Sequence, residues 1–394
     1  MPRAARRNLL LLALCQALFL TGSSMVLTVT ALAGEALRPG SGLATLPISL
    51  QFVMTMAATV PASFMMRRFG RRAGFQFGAA VGIIAGLINV VALMGGNFVL
   101  FCVGSALVGV LNGFALYYRF AAADCADEEN RSRAISLVLA GGVVAAFSGP
   151  NLARVTVDAL GDAAFAGSFA ALALIQVVTI ALLVFVSIPG LSARERKDQG
   201  RPLLEILRNP AVAVAILAGV AGYSSMTLVM TSTPLAMDGM GHGFGDTAFV
   251  IQWHVFAMFA PSFVTGHLIK RIGALPVILA GAVFILACVA VNQMGQGLWQ
   301  FTTALMALGV GWNFMFIGGT SLLTGVTARA EQAKVQGFND FLMFGAVALA
   351  AMSGGMLHQN LGWEVLNYAV VPGIAASLVA TLWLWPARQV HGAG

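Results

Sequence analysis

The chain has 394 residues, of which 59% are hydrophobic and only 9% charged, and its mean hydropathy is +0.87. Too few polar side chains exist to cover a soluble globule of this size, so the composition excludes a water-soluble fold and points to a bilayer. The formal charge of +7 is set by loop arginines on one side of the spans, which makes it a mark of topology and not of a nucleic-acid partner.

Apolar stretches of about 20 residues, the length that crosses a hydrocarbon core of ~30 Å, recur between short polar or Gly/Pro-marked breaks. Twelve spans are predicted: 9–32, 43–66, 73–95, 98–121, 134–158, 163–188, 210–234, 247–268, 274–295, 298–325, 338–360 and 362–386. Backbone in lipid must satisfy its own hydrogen bonds, and the alternating pattern of an outer-membrane barrel is absent, so these spans are helices and the fold class is all-α integral membrane. The first span lacks a small-residue cleavage site before "GEALRPG" and is expected to stay in the protein. Arg3, Arg6 and Arg7 precede span 1, Arg67, Arg68, Arg71 and Arg72 follow span 2, and Arg194, Arg196, Lys197, Arg201 and Arg208 follow span 6. Arg131, Arg133, Lys270, Arg271, Arg329 and Lys334 fill the other even-numbered loops, against Arg38 alone in the odd-numbered ones. The positive-inside rule then places both termini in the cytoplasm, with the protein multi-pass in the inner membrane. Cys15, Cys102, Cys125 and Cys288 share no paired spacing, so they read as small apolar residues and not as a disulfide or thiolate metal framework.

Two landmarks repeat in register. "SSMVLTVT" (Ser23 to Thr30) matches "SSMTLVMT" (Ser224 to Thr231) at an offset of 201, and "RRFG" (Arg67 to Gly70) matches "KRIG" (Lys270 to Gly273) at an offset of 203. A six-helix unit is therefore duplicated in parallel, giving an N-terminal half over 1–190, a linker over 191–209 and a C-terminal half over 210–394. With these features the chain resembles the major facilitator superfamily, whose signature between helices 2 and 3 reads G-x-L-A-D-R-x-G-R-R. Here "SFMMRRFGRR" (Ser63 to Arg72) keeps Arg68, Gly70, Arg71 and Arg72, with Ser63 in place of the first Gly and Arg67 in place of the Asp. The second copy, "GHLIKRIG", keeps Gly266, Leu268, Arg271 and Gly273. The resemblance implies substrate binding between the halves near the membrane midplane.

Met226 and Met230 lie four apart on span 7, and His254 and Met258 four apart on span 8. Residues at that spacing share a helix face. Counting from the outer helix ends puts Met230, His254, Met226 and Met258 at depths of about four, seven, eight and eleven residues, an interleaved ladder. Thioethers and a neutral imidazole form a soft, uncharged set suited to Cu(I) and unlike a structural zinc site. Packing competes with that reading: with 18 methionines roughly one M-x-x-x-M pair is expected by chance, and Met352 and Met356 supply another. The pattern as a whole resembles the CcoA-type copper importers of the superfamily, which carry M-x-x-x-M on the seventh helix and H-x-x-x-M on the eighth. That resemblance implies Met226, Met230, His254 and Met258 as copper ligands, copper as the imported substrate with no resident cofactor, and a link to haem-copper oxidase assembly.

The alternative is a transporter of a small organic solute, a vitamin importer or drug exporter, in which the methionines are adaptable apolar lining. In the first half Met25 stands where Met226 does, but Val29, Gln51 and Thr55 replace the other three ladder residues. Met25, Met54 and Met56 are open as further ligands from the facing half, as are Met352, Met356 and His358; His242 and His391 read as solvated. Arg154 and Asp158 are expected to pair, Arg119 and Asp340 to sit at cytoplasmic helix ends, and no buried acid stands out for proton coupling. The chain carries no Walker loop, Ser/His/Asp cluster or soluble domain, so catalysis is not expected.

Overall fold

The structure, a computed structural model, describes residues 3–118, 121–122, 125, 138, 141–161, 163–188 and 201–391. Arg119, Arg131, Arg133 and linker residues 191–200, with Arg194, Arg196 and Lys197, lie outside the described residues. The first half contains α1 (Arg3–Leu37), α2 (Leu46–Phe69), α3 (Arg71–Met94), α4 (Phe98–Ala115), α5 (Gly141–Thr156) and α6 (Ala166–Val184). After a short helix over Leu203–Leu207 come α7 (Pro210–Gly239), α8 (Phe244–Phe259, continued by Ser262–Ile272), α9 (Ala274–Asn292), α10 (Leu298–Gly325), α11 (Arg329–Tyr368) and α12 (Val371–His391). Among the described residues there is no strand, and ten stretches are long and apolar enough to cross a membrane. The last of these, Lys334–Trp385, runs from α11 into α12, and α11 is itself broken at Gly362, which leaves the helical conformation at φ 80°. The predicted boundary between spans 11 and 12 falls at that glycine.

Local chemistry starts and stops these helices. Asn97 accepts from the Leu100 N–H at 3.0 Å and Asn209 from the Ala211 N–H at 3.0 Å, each capping a helix N-terminus. Pro210 occupies the start of α7, where its missing N–H leaves no bond unmade. Gly70 between α2 and α3 has φ 88° and ψ 154°, and Gly273 between α8 and α9 has φ 91° and ψ 166°. These are the matching glycines of "RRFG" and "KRIG". Both occupy a region that side chains with a Cβ disfavour, so the sequence repeat encodes one backbone turn used twice.

The packing repeats as well. In the first half α1 packs on α5 and α6, α2 on α4, and α3 on α4 and α6. The second half copies each pairing as α7 on α11 and α12, α8 on α10, and α9 on α10 and α12. Between halves α2 meets α11, α5 meets α8, and α1 runs beside α7. All four cysteines are free, and Cys15, Cys102 and Cys288 are buried as the sequence suggested.

Candidate functional site: a cavity between the halves

Where α1 passes α7, a cavity of about 170 Å³ opens between the halves. The duplicated helices run in parallel, so their wall residues stack in matching levels. One level holds Phe19 and Leu20 of α1 with Tyr223 of α7; the next holds Ser23 and Ser24 with Met226 and Thr227; the third holds Leu27 with Met230 and Thr231. Phe52 and Thr55 of α2, Asn112 of α4, Ala145 of α5, Val255, Met258 and Phe259 of α8, and Phe344 of α11 complete the wall with Leu116. No charged side chain lines it among the described residues.

The aromatic level is braced from behind. The Tyr223 ring lies 5.4 Å from Trp312 and 6.1 Å from Phe344 between centroids, and Trp312 stacks on Phe316 at 5.1 Å. Phe259 sits 6.1 Å from Trp312 and presses on α5 of the other half, where a Cβ added at Gly142 would fall 2.5 Å from its ring. Phe259 reaches that position because α8 breaks just beyond it. Pro261 lacks the N–H that would continue the ladder, and Asn313 of α10 takes up the disturbed polar groups: its Nδ2 donates to the Met258 carbonyl at 2.6 Å and to Ser262 Oγ at 2.7 Å, while its Oδ1 accepts from Thr265 at 2.7 Å.

One end of the cavity is shut by bonds between the halves. Gly355 N–H donates to Thr45 Oγ1 at 3.0 Å, Ser49 Oγ to the Ala348 carbonyl at 2.8 Å, and Asn151 Nδ2 to Gln252 Oε1 at 2.7 Å. Gln359 also donates to the Gly40 carbonyl. This is the end opposite Arg68, Arg71 and Arg72. At the arginine-bearing face, before the apolar part of α11, Arg201 forms a two-pronged pair with Glu331 at 2.7 and 3.0 Å. The guanidinium holds the Glu331 carboxyl down at about 2.

The four residues singled out by their spacing separate here. Met226, Met230 and Met258 share the cavity wall. His254 does not: it is fully buried, and its Nδ1 lies 2.7 Å from the Leu305 carbonyl of α10. The expected ladder also assumed that α7 and α8 lie side by side, whereas α8 packs chiefly on α10 and α5. Met25 is buried in the first-half core, and Met352 and Met356, 40% and 48% exposed, point away from the cavity. No ion pair joins Arg154 to Asp158 among the described residues; Arg154 instead borders a polar recess with Asn151 and Gln252. Spacing alone missed Tyr223, Phe259, Ser24, Thr55, Asn112 and Thr227. A search for polar and aromatic residues facing one another on the duplicated helices would have raised several of them.

Residues 12–291 match the family model described as the Major Facilitator Superfamily. The chain belongs to this family. It is 42% identical over 378 residues to the riboflavin transporter RfnT of Brucella anthropi, covering 95% of each chain. It is also 30% identical over 390 residues to the uncharacterized MFS-type transporter YddS of Bacillus subtilis, covering 93% of this chain and 87% of that one. Among solved structures, the D-xylose-proton symporter superposes with a TM-score of 0.75 at 14% identity, covering 97% of each chain, which speaks for the shared fold alone. A family of transporters agrees with the expectation of a non-enzyme. The copper reading does not stand. A full-length relative named as a riboflavin transporter overturns copper as the substrate and removes the link to oxidase assembly. Its physical weakness lay in the spacing: residues four apart share a face, but the spacing says neither which neighbour that face meets nor whether sulfur binds metal or fills space.

Proposed function

We propose that this protein carries riboflavin, or a flavin of the same build, across the membrane by alternating access of its two six-helix halves, 1–190 and 210–394. The observation that carries the reading is the cavity wall: aromatic rings, methionines and hydroxyls with no charged side chain among the described residues. Riboflavin is uncharged at neutral pH and joins a flat three-ring system to a hydroxylated chain. Aromatic and thioether walls suit the ring, and uncharged polar groups suit the chain without an ionic partner. The 42% identity to a protein named as a riboflavin transporter supports the same substrate. In this reading Met226, Met230 and Met258 are apolar lining, and His254 ties α8 to α10. The arginine-bearing face is cytoplasmic in keeping with the positive-inside rule, so the bonded end of the cavity faces outward in a bacterial inner membrane.

The test is expression in a bacterial strain that neither makes nor imports riboflavin. Growth on limiting riboflavin and uptake of labelled riboflavin are expected, with cellular copper unchanged. A chain present in the membrane that gives no uptake above the empty vector would rule the reading out.

A further inference from the structure

The polar groups of the cavity wall differ in what they have left to offer a ligand. Thr55 Oγ1 donates to the Gln51 carbonyl at 2.7 Å and Thr231 Oγ1 to the Thr227 carbonyl at 2.7 Å, the local bond that satisfies a helical hydroxyl. Ser24 and Thr227 are buried, with their hydroxyl oxygens shut away from open space. Asn112 differs from all four. It is partly exposed on the wall, and neither its Oδ1 nor its Nδ2 is hydrogen-bonded or closed off among the described residues. Helix α4 aims it there. Gly109 and Gly113 press the adjoining face onto α2: a Cβ added at Gly109 would fall 2.2 Å from the Gln51 carbonyl oxygen, and one at Gly113 would fall 2.8 Å from the Ala58 Cβ. Asn112 and Leu116, four apart, share the face beside it, and both line the cavity.

The level of Asn112 on the wall narrows its partner. Thr55 Oγ1 lies 3.2 Å from the Gly109 carbonyl and Ala58 meets Gly113, so Asn112 stands level with Thr55 to Ala58 of α2. On that same stretch of α2, the Met56 sulfur would lie 3.9 Å from a Cβ at Gly345, the residue after Phe344 on α11. The Phe344 ring is in turn 6.1 Å from Tyr223. The amide therefore belongs to the aromatic level of the wall, where a flat ring stacked on those side chains turns its edge to the remaining wall. A primary amide carries a donor and an acceptor side by side in one plane. Its match is an imide edge, and the flat ring of riboflavin ends in one, an N3–H between the C2 and C4 carbonyls. We propose that Asn112 reads this edge, its Oδ1 accepting from N3–H and its Nδ2 donating to a neighbouring carbonyl, while the ring lies against Tyr223 and Phe344. The proposal rests on the flavin reading and deepens it, because it names the residue that tells a flavin from other flat rings. Ser23, also partly exposed on the wall, offers a single oxygen and cannot make such a planar pair.

Uptake of labelled riboflavin, competed with 3-methylriboflavin or lumiflavin, separates the imide edge from the hydroxylated chain. The first competitor keeps the chain and replaces N3–H by a methyl; lumiflavin keeps the imide edge and carries a methyl in place of the chain. Wild-type protein is expected to bind 3-methylriboflavin roughly tenfold more weakly than riboflavin. Asn112→Ala should raise the riboflavin concentration for half-maximal uptake roughly 3–10-fold and weaken lumiflavin inhibition by the same factor, while inhibition by 3-methylriboflavin does not weaken. Asn112→Leu, closer in size to asparagine, should repeat this pattern, each variant being compared at equal membrane abundance. Riboflavin uptake lost with lumiflavin inhibition unaltered would assign Asn112 to the chain and overturn the proposal, and unaltered riboflavin uptake in both variants would overturn it too. Wild-type protein that accepts 3-methylriboflavin as readily as riboflavin sinks it without any variant having to fold. Wild-type protein that takes up no riboflavin removes the flavin reading itself, and the edge reading with it.

Discussion

Asn112 on α4 and Asn313 on α10 stand at matching positions of the duplicated unit, at the same offset of 201 residues as the two "SSM" segments. They do different work. Asn313 is occupied by structure, holding the Met258 carbonyl, Ser262 and Thr265 where α8 breaks at Pro261. Helix α2, the counterpart of α8, carries Pro61 yet runs unbroken over Leu46–Phe69, and Asn112 faces the cavity. Duplication has kept the helix pairings and reassigned the polar side chains. An amide that one half uses to mend a helix is left facing the cavity in the other half.

The largest effect should come from the structural member of this pair. Asn313→Ala leaves buried carbonyl and hydroxyl groups without their partner, and is expected to lower stability by about 1–3 kcal/mol, read as an earlier thermal transition of the purified protein in detergent. Asn112→Ala should leave that transition in place and weaken riboflavin uptake roughly 3–10-fold. Equal loss of stability in both variants would erase the distinction between the halves. Next come the methionines. Met226→Leu and Met230→Leu keep volume and hydrophobicity, a change that costs less than about 1.5 kcal/mol, so uptake should stay within about a few-fold of the wild type. Abolished uptake would show that the sulfur itself is required. Met352→Leu, on a surface facing away from the cavity, should be silent.

The smallest effect concerns the clamp between the linker end and α11. Arg201 holds the Glu331 carboxyl at about 2, below its ordinary 4.5. A lowered carboxylate contributes stability above its ordinary value and loses that contribution as pH falls through 4.5 toward 2. The difference in thermal transition between wild type and Glu331→Gln should therefore be constant from about pH 6 to 8 and shrink only in acid. A difference that varies between pH 6 and 8 would assign the clamp to another titrating group.

Much of the architecture was legible in the sequence because lipid leaves the backbone few choices. Span lengths, the break at Gly362 and the paired "RRFG" and "KRIG" turns follow from apolar runs and from glycines that adopt positive φ. The site was legible only in part. Spacing found Met226, Met230 and Met258, which do share one wall. It grouped His254 with them, whereas the structure sets that ring beside a carbonyl 51 residues away on α10, a partner that no local pattern announces. It also passed over Ser24 and Thr227, which look like any helical hydroxyl until their neighbours are known to leave them unpaired. Substrate identity was not legible from side-chain softness, since thioethers serve a metal and a flat organic ring equally well.

The bonds that close the end of the cavity opposite Arg68, Arg71 and Arg72 join only uncharged groups: Thr45 with Gly355, Ser49 with Ala348, Asn151 with Gln252 and Gln359 with Gly40. Dissolved ions screen charges but leave dipolar contacts of this kind almost untouched. A lock built this way is blind to the salinity of its surroundings. Flux limited by its opening would hold steady as external sodium chloride is raised from millimolar levels toward those of sea water, whereas a lock of paired charges would loosen along the same series.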